Sequence, residues 1–237
     1  MRLGFCFIRN FAKYSSEMET IKSSLVHRLG PLNTSQKGPY PVLILLHGRG
    51  ADENDLLGLA SHLDPRFFVI SVRAPFPFEN GGYTWYTVLE IGKPEPREFM
   101  ESYERLVQFL DDIKKQYPVD PGRVFFLGFS MGTMMSFSLA LTKPQSIRGV
   151  VAHSGYIPED TGLTFRLNEL NGTSFFVAQG LYDPVIPVQF GRRAKEILGS
   201  AKADLTYKEY PIGHEISDES LHDLSEWLKT RIDPGNP

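Results

Sequence analysis

Three side chains whose types could work together are spread over the second half of this sequence: Ser130, Asp183 and His214. Ser130 is the centre of Gly128-Phe129-Ser130-Met131-Gly132, between the apolar run "VFFLGFS" and a stretch of helical character. A hydroxyl is a weak nucleophile near neutral pH. It becomes useful when a base takes its proton and a carboxylate holds that base in the right tautomer. Glycines two positions either side of the serine remove the Cβ atoms that would clash where a strand turns sharply into a helix. Two readings compete, because serine in a Gly-rich turn is also an ordinary helix cap. Chance alone supplies about 0.1 such pentapeptides in a chain of this composition, so the surrounding sequence has to decide.

His153, His214 and His222 follow the serine. His153 ends an apolar run and reads as a packed, hydrogen-bonded histidine. His222 lies between Leu221 and Leu224 in the last helical segment and reads as a helix-surface residue. His214, in the Gly/Pro-containing "YPIGHEISDES", sits on a loop that lets the ring swing over a sheet edge. It is the base candidate. Asp183, in "AQGLYDPVIP", follows a strand end, where parallel sheets display functional groups. Its other reading is the shaping of an Asp-Pro turn. Asp204 precedes the final strand and Asp218 reads as a cap for the last helix. The turn in "LLHGRGADENDLLGLA" can present the Arg49 amide, and the Met131 amide follows the serine. Together they form a pair of oxyanion donors. His47 reads as an anchor of that turn. Asp52, Glu53 and Asp55 read as helix-start acids, not a metal site.

The elements that must hold these groups alternate. "FFVISVRAP", "VFFLGFS", "GVVAHSG" and "SFFVAQG" are continuous, rich in β-branched and aromatic residues, and end in small or polar ones, as strands covered on both faces do. "SLVHRL" (24–29) and "PVLILLHG" (41–48) read as an opening antiparallel pair. Residues 98–118 carry an apolar stripe from Phe99 to Ile113 and stop before Pro118. The segments after Ser130, at 188–200 and at 219–232 are also helical. The result is an α/β fold with a mostly parallel central sheet and helices on both faces. No repeat, low-complexity tract or linker divides residues 19–237, which read as a single domain. Residues 75–98 form a long connection rich in Pro, Gly and aromatics, a kind that is usually functional when it is not disordered.

The formal charge is −3 and no basic block occurs, which argues against nucleic acid as a partner. The longest aliphatic run, "VLILL", is too short to cross a bilayer. A single cysteine, Cys6, excludes an intrachain disulfide and fits a reducing, cytoplasmic setting. Arg2, Arg9 and Lys13 precede the first acid, Glu17, so residues 1–17 resemble an organelle transit peptide or a short secretory signal. The preferred reading is an extension upstream of a second start at Met18, and residues 1–18 are set apart from the fold.

"LLHGRGADENDLLGLA", "SVRAPF", "GGYTWY", "GFSMG", "GLYDPVIP" and "GHEIS" occur in the order and spacing of the phospholipase/carboxylesterase family of α/β-hydrolases. The chain resembles that family, which includes bacterial carboxylesterases and acyl-protein thioesterases, over residues 24–232. The resemblance implies an α/β-hydrolase fold with Ser130 as nucleophile, Asp183 as acid, His214 as base, and Arg49 and Met131 as oxyanion donors. Many relatives carry Gln where Met131 stands, a change that leaves a backbone donor intact. The resemblance further implies that the loop with Trp85 lines the acyl-binding surface, to which this chain adds Tyr83 and Tyr86.

Gly155 to Thr173 is too short for a multi-helix lid. The expected activity is hydrolysis of soluble short-to-medium-chain carboxylic esters through an acyl-enzyme, without metal or cofactor. The alternatives are an acyl-protein or acyl-CoA thioesterase or lysophospholipase using the same residues, and a hydrolase-fold binding protein without catalysis. The expected partner is a small ester or thioester, and a homodimer is compatible with this reading.

Overall fold

The computed structural model describes residues 20–32 and 37–233. The expectations for residues 1–18 fall outside the described residues. Seven strands form one sheet: β1 (His27–Leu29), β2 (Tyr40–Leu46), β3 (Phe68–Val72), β4 (Val119–Phe129), β5 (Gly149–His153), β6 (Ser174–Gly180) and β7 (Asp204–Tyr210). Their spatial order is β1-β3-β2-β4-β5-β6-β7, with β1 antiparallel to β3 and every other pair parallel. β2, β3, β5 and β6 are buried at every residue, which explains their mostly apolar sequences.

One expected pairing is corrected. β1 pairs with β3, from His27 opposite Val72 to Leu29 opposite Ile70, and not with β2. β2 is apolar on both faces and takes an interior place between β3 and β4, whereas β1, with Arg28 exposed, suits the sheet edge.

The side-chain alternation of the strands divides the core in two. On one face, Val42, Ile44, Leu46, Ile70 and Phe126 pack with α1 (Pro96–Gln116), α2 (Met131–Thr142) and α3 (Val188–Ser200). On the other, Leu43, Leu45, Phe125, Leu127, Val151 and Phe176 pack with α4 (Asp218–Arg231) and a 3-10 segment, Leu56–His62. α1 begins at a Glu95 cap, whose carboxylate accepts the Glu98 amide, with Pro96 at its first position. α2 is buried from Met131 to Leu141, so it lies inside the molecule and has no solvent face.

The connection at 75–98 is ordered into two short hairpins, Phe76–Pro77 with Tyr83–Thr84 and Val88–Glu90 with Lys93–Pro94. Between Gly155 and Thr173 the only helical piece is the 3-10 turn Leu167–Glu169, so this segment builds no helical lid. No helix among the described residues is long and apolar enough to cross a membrane.

Candidate active site

The site forms at the carboxyl ends of β2, β4, β6 and β7, where each parallel strand gives way to a loop. β4 stops at Phe129 and α2 starts at Met131, leaving Ser130 alone at the corner with φ 53° and ψ −117°. This is a costly conformation for a residue with a Cβ, of the order of 1–3 kcal/mol. The corner is held by the Ser130 amide donating to the His153 carbonyl at 3.0 Å. The Thr133 hydroxyl also bridges the carbonyls of Gly128 and His153 at 2.7 and 2.8 Å. Gly128 and Gly132 are obligatory here: a Cβ on the first would collide with the Gly132 carbonyl, and one on the second with the Leu46 carbonyl of β2. The Ser130 side chain makes no capping hydrogen bond, so the helix-cap reading of this serine does not hold.

Asp183 follows β6 in a tight turn. Its Oδ1 accepts the amides of Val185 and Ile186, both at 2.8 Å, so the expected turn-shaping role is real. The same carboxylate also meets the candidate base, with His214 Nδ1 2.8 Å from Asp183 Oδ2. The Asp183 side chain is fully buried and the His214 ring retains 17% exposure, as suits an acid shielded from solvent behind a reachable base. A residue that sequence reasoning passed over completes the acid's shell. Gln179, fully buried in β6, donates from Nε2 to Asp183 Oδ2 at 3.3 Å and to the Ile186 carbonyl at 2.8 Å. A lone amide in "SFFVAQG", four residues before the aspartate, was the available signal.

Ser130 and His214 are joined through a neighbour. The Phe129 ring lies 4.9 Å from the His214 ring, and Phe129 is adjacent to the serine in the chain. No hydrogen bond of the Ser130 hydroxyl is formed among the described residues. Bases commonly stand off their nucleophile at rest and close on it when substrate binds.

The turn after β2 reaches the serine directly. A side chain at Gly48 would meet the Phe129 ring at 3.2 Å and Ser130 Cβ at 3.3 Å, so the Arg49 peptide starts beside the candidate nucleophile. His47 anchors this turn, as expected. Its Nδ1 donates to the Gly48 carbonyl at 2.6 Å and its Nε2 accepts the Ala74 amide at 3.0 Å, which requires the neutral ring. Burial lowers its pKa below the ordinary histidine value, in keeping with that tautomer. The Gly50 amide goes to the Tyr83 carbonyl and the Tyr83 amide to the Ala51 carbonyl, each at 2.8 Å. Among the described residues the Arg49 and Met131 amides have no hydrogen-bond acceptor outside regular structure.

Trp85 and Tyr86 are placed differently from the expectation that they line the acyl-binding surface. They are 0% and 1% exposed, packed in the core under the hairpin. Trp85 Nε1 donates to the His47 carbonyl at 2.9 Å, which buries the one polar atom of the indole usefully. Tyr83 is partly buried, with its hydroxyl accepting from Arg73 at 3.1 Å and the guanidinium over its ring at 4.5 Å. Glu53 pairs with Arg73 at 2.5 Å, and Asp52 accepts the Asn54 amide at 2.8 Å. No cluster of three metal-binding side chains occurs among the described residues. His222 is exposed on α4, and the cap of that helix is Ser217, one residue before the expected Asp218.

Comparison with known proteins fits this geometry. Residues 32–232 match the sequence model of the phospholipase/carboxylesterase family. The chain belongs to that family. As a phospholipase/carboxylesterase family member it is a serine hydrolase acting on ester bonds. It is 27% identical to a putative hydrolase, MhqD, of Bacillus subtilis, over 81% of this chain and 94% of that protein. It is also 27% identical to acyl-protein thioesterase 1 of Candida albicans, over 81% and 92%. The Bacillus cereus carboxylesterase superposes with a TM-score of 0.76 at 30% identity, over 86% of this chain and 93% of that one.

Tyr156, Ile157 and Phe190, together with Glu159, Asp160, Gln189 and Arg193, line an open cavity of ≈ 240 Å³ that Gly92 of the second hairpin borders. Gly155, which leads into it, abuts the Ser130 carbonyl.

Proposed function

We propose that this protein is a carboxylesterase that cleaves short-to-medium-chain esters through a covalent acyl-enzyme on Ser130. The observation that carries the proposal is the 2.8 Å contact of His214 with Asp183, beside a serine held at φ 53° without a capping role. His214 takes the serine proton through Nε2 as Ser130 Oγ attacks the ester carbonyl. Asp183 keeps the proton on Nδ1 and stabilises the imidazolium. The Arg49 and Met131 amides receive the oxyanion, and the N-terminal end of α2 adds partial positive charge. The proton on His214 then goes to the leaving alkoxide, and water repeats the sequence to release the acid.

The absence of a helical lid between Gly155 and Thr173 argues for dissolved esters over an oil–water interface. The test is turnover of a chain-length series of p-nitrophenyl esters by wild type and Ser130→Ala. The expected result is a maximum at short to medium chains and a loss on the order of 10^4-fold or more in the variant. A Ser130→Ala variant as active as wild type would end the proposal.

A second reading, a thioesterase acting on acylated protein cysteines, uses the same atoms. It is favoured by exposed Leu89 and Ile91 on the second hairpin and by exposed Tyr182 and Val185 on the acid loop. A small dissolved ester has no need of such apolar surface, whereas a partner carrying the acyl group does. Matched oxygen esters and thioesters, free and on a peptide, separate the two. Preference for the peptide-borne thioester selects the second.

A further inference from the structure

His153 touches both halves of the site while contacting neither the serine hydroxyl nor the base. It is the last residue of β5 and is fully buried. Its main-chain carbonyl accepts the Ser130 amide at 3.0 Å and the Thr133 hydroxyl at 2.8 Å, which sets the corner at the end of β4. Its ring points the other way. Nδ1 is 3.0 Å from Ser154 Oγ and Nε2 is 3.1 Å from Ser220 Oγ.

Ser220 is the inner member of the capping box of α4. Its hydroxyl accepts the Ser217 amide at 2.9 Å, and the Ser217 hydroxyl accepts the Ser220 amide at 3.2 Å. Ser217 stands three residues after His214, so this box ends the base's loop. The Phe129 ring faces both histidines, 6.0 Å from His153 and 4.9 Å from His214.

We propose that His153 is a positioning residue. It ties the Ser130 corner, through its carbonyl, to the end of the His214 loop, through the ring's hydrogen bond to Ser220. The inference rests on the assignment of Ser130 and His214 as nucleophile and base. A neutral imidazole suits the task, because each ring nitrogen meets a hydroxyl that can donate or accept. Burial holds the ring neutral, with a pKa lowered to about 3. A leucine of similar bulk would fill the space but leave the Ser220 hydroxyl one partner short. Glutamine could restore the contact with its amide.

The experiment compares His153→Leu, His153→Gln and Ser220→Ala with wild type on a soluble p-nitrophenyl ester, after circular dichroism has established folding. In His153→Leu the expected loss is about tenfold or more in kcat with KM within about twofold, because the defect lies in alignment and not in binding. His153→Gln should recover most of that loss. Ser220→Ala removes the same hydrogen bond, together with the capping contact to the Ser217 amide, and should reproduce the kcat defect.

A folded His153→Leu with wild-type kcat overturns the proposal, as does a Gln variant no better than Leu. Where His153→Leu does not fold, an unchanged kcat in Ser220→Ala overturns it equally. Ser130→Ala, run alongside, separates the two readings. Turnover retained there removes the assigned nucleophile and with it the premise. Turnover lost there, with His153→Leu unaffected, removes only the positioning role.

Discussion

The indole Nε1 of Trp85 donates to the main-chain carbonyl of His47 at 2.9 Å. The largest aromatic of the long connection therefore braces the turn that starts beside the nucleophile. Trp85→Phe keeps much of the apolar burial but strips a buried carbonyl of its donor, at a cost of about 1–3 kcal/mol. Urea unfolding should show that loss. Ester kinetics should show a lower kcat with little change in KM, because the Arg49 amide drifts. An unchanged kcat would mean that the turn holds without the brace.

Asp183→Asn should be far more damaging than its size implies. Oδ1 already receives two backbone amides, so an asparagine must place its carbonyl oxygen there and turn its NH2 toward His214. Facing a donor, the ring moves its proton to Nε2 and can no longer accept from Ser130. A fall in kcat on the order of 10^4-fold is expected, with a near-native fold by circular dichroism.

Gln179→Leu removes the amide that shares Asp183 Oδ2 with His214 and also holds the Ile186 carbonyl. Hydrogen bonds to charged groups are worth about 1.5–3 kcal/mol, so kcat should drop roughly tenfold or more. KM should stay near wild type, since Gln179 is fully buried behind the acid. A KM effect alone would place Gln179 in binding instead.

The buried His153 makes the fold sensitive to acid. Its pKa is about 3 in the folded chain, against 6.5 when unperturbed. Between those values the unfolded chain binds the extra proton. The contribution is therefore fully present above about pH 6.5 and is lost as pH falls toward about 3. The slope is about 1.4 kcal/mol per pH unit, or about 2 kcal/mol between pH 6.5 and 5. Urea midpoints across this interval should fall in wild type and fall less in His153→Gln. Parallel slopes would assign the acid sensitivity to other groups.

Much of this site could be read from residue types because its chemistry is local. The strained corner needs Gly128 and Gly132 where backbones touch, and the acid and base need strand-end loops; spacing reports both. Pairing order is not local. β2 and β3 are both apolar along their length, and nothing in either tells β1 which to join, so the wrong partner was expected. Trp85 and Tyr86 misled for a related reason. A connection without periodicity says nothing about which way an aromatic faces, and the indole turns inward into the core, onto the His47 carbonyl. Gln179 was visible as an oddity, but its two acceptors lie on a turn whose shape is not written in β6 itself.

The order of the strands carries a consequence for the chain as it is made. Ser130 is in place once β4, β5 and α2 have packed, but Asp183 follows β6 and His214 follows β7. The base's loop ends on the Ser217 box of α4, the last helix described. On the assigned roles, a nascent polypeptide leaving the ribosome carries a serine with no base to activate it until β7 and α4 dock. On those roles, the elements that complete the site are the ones that emerge after the serine, β6, β7 and α4.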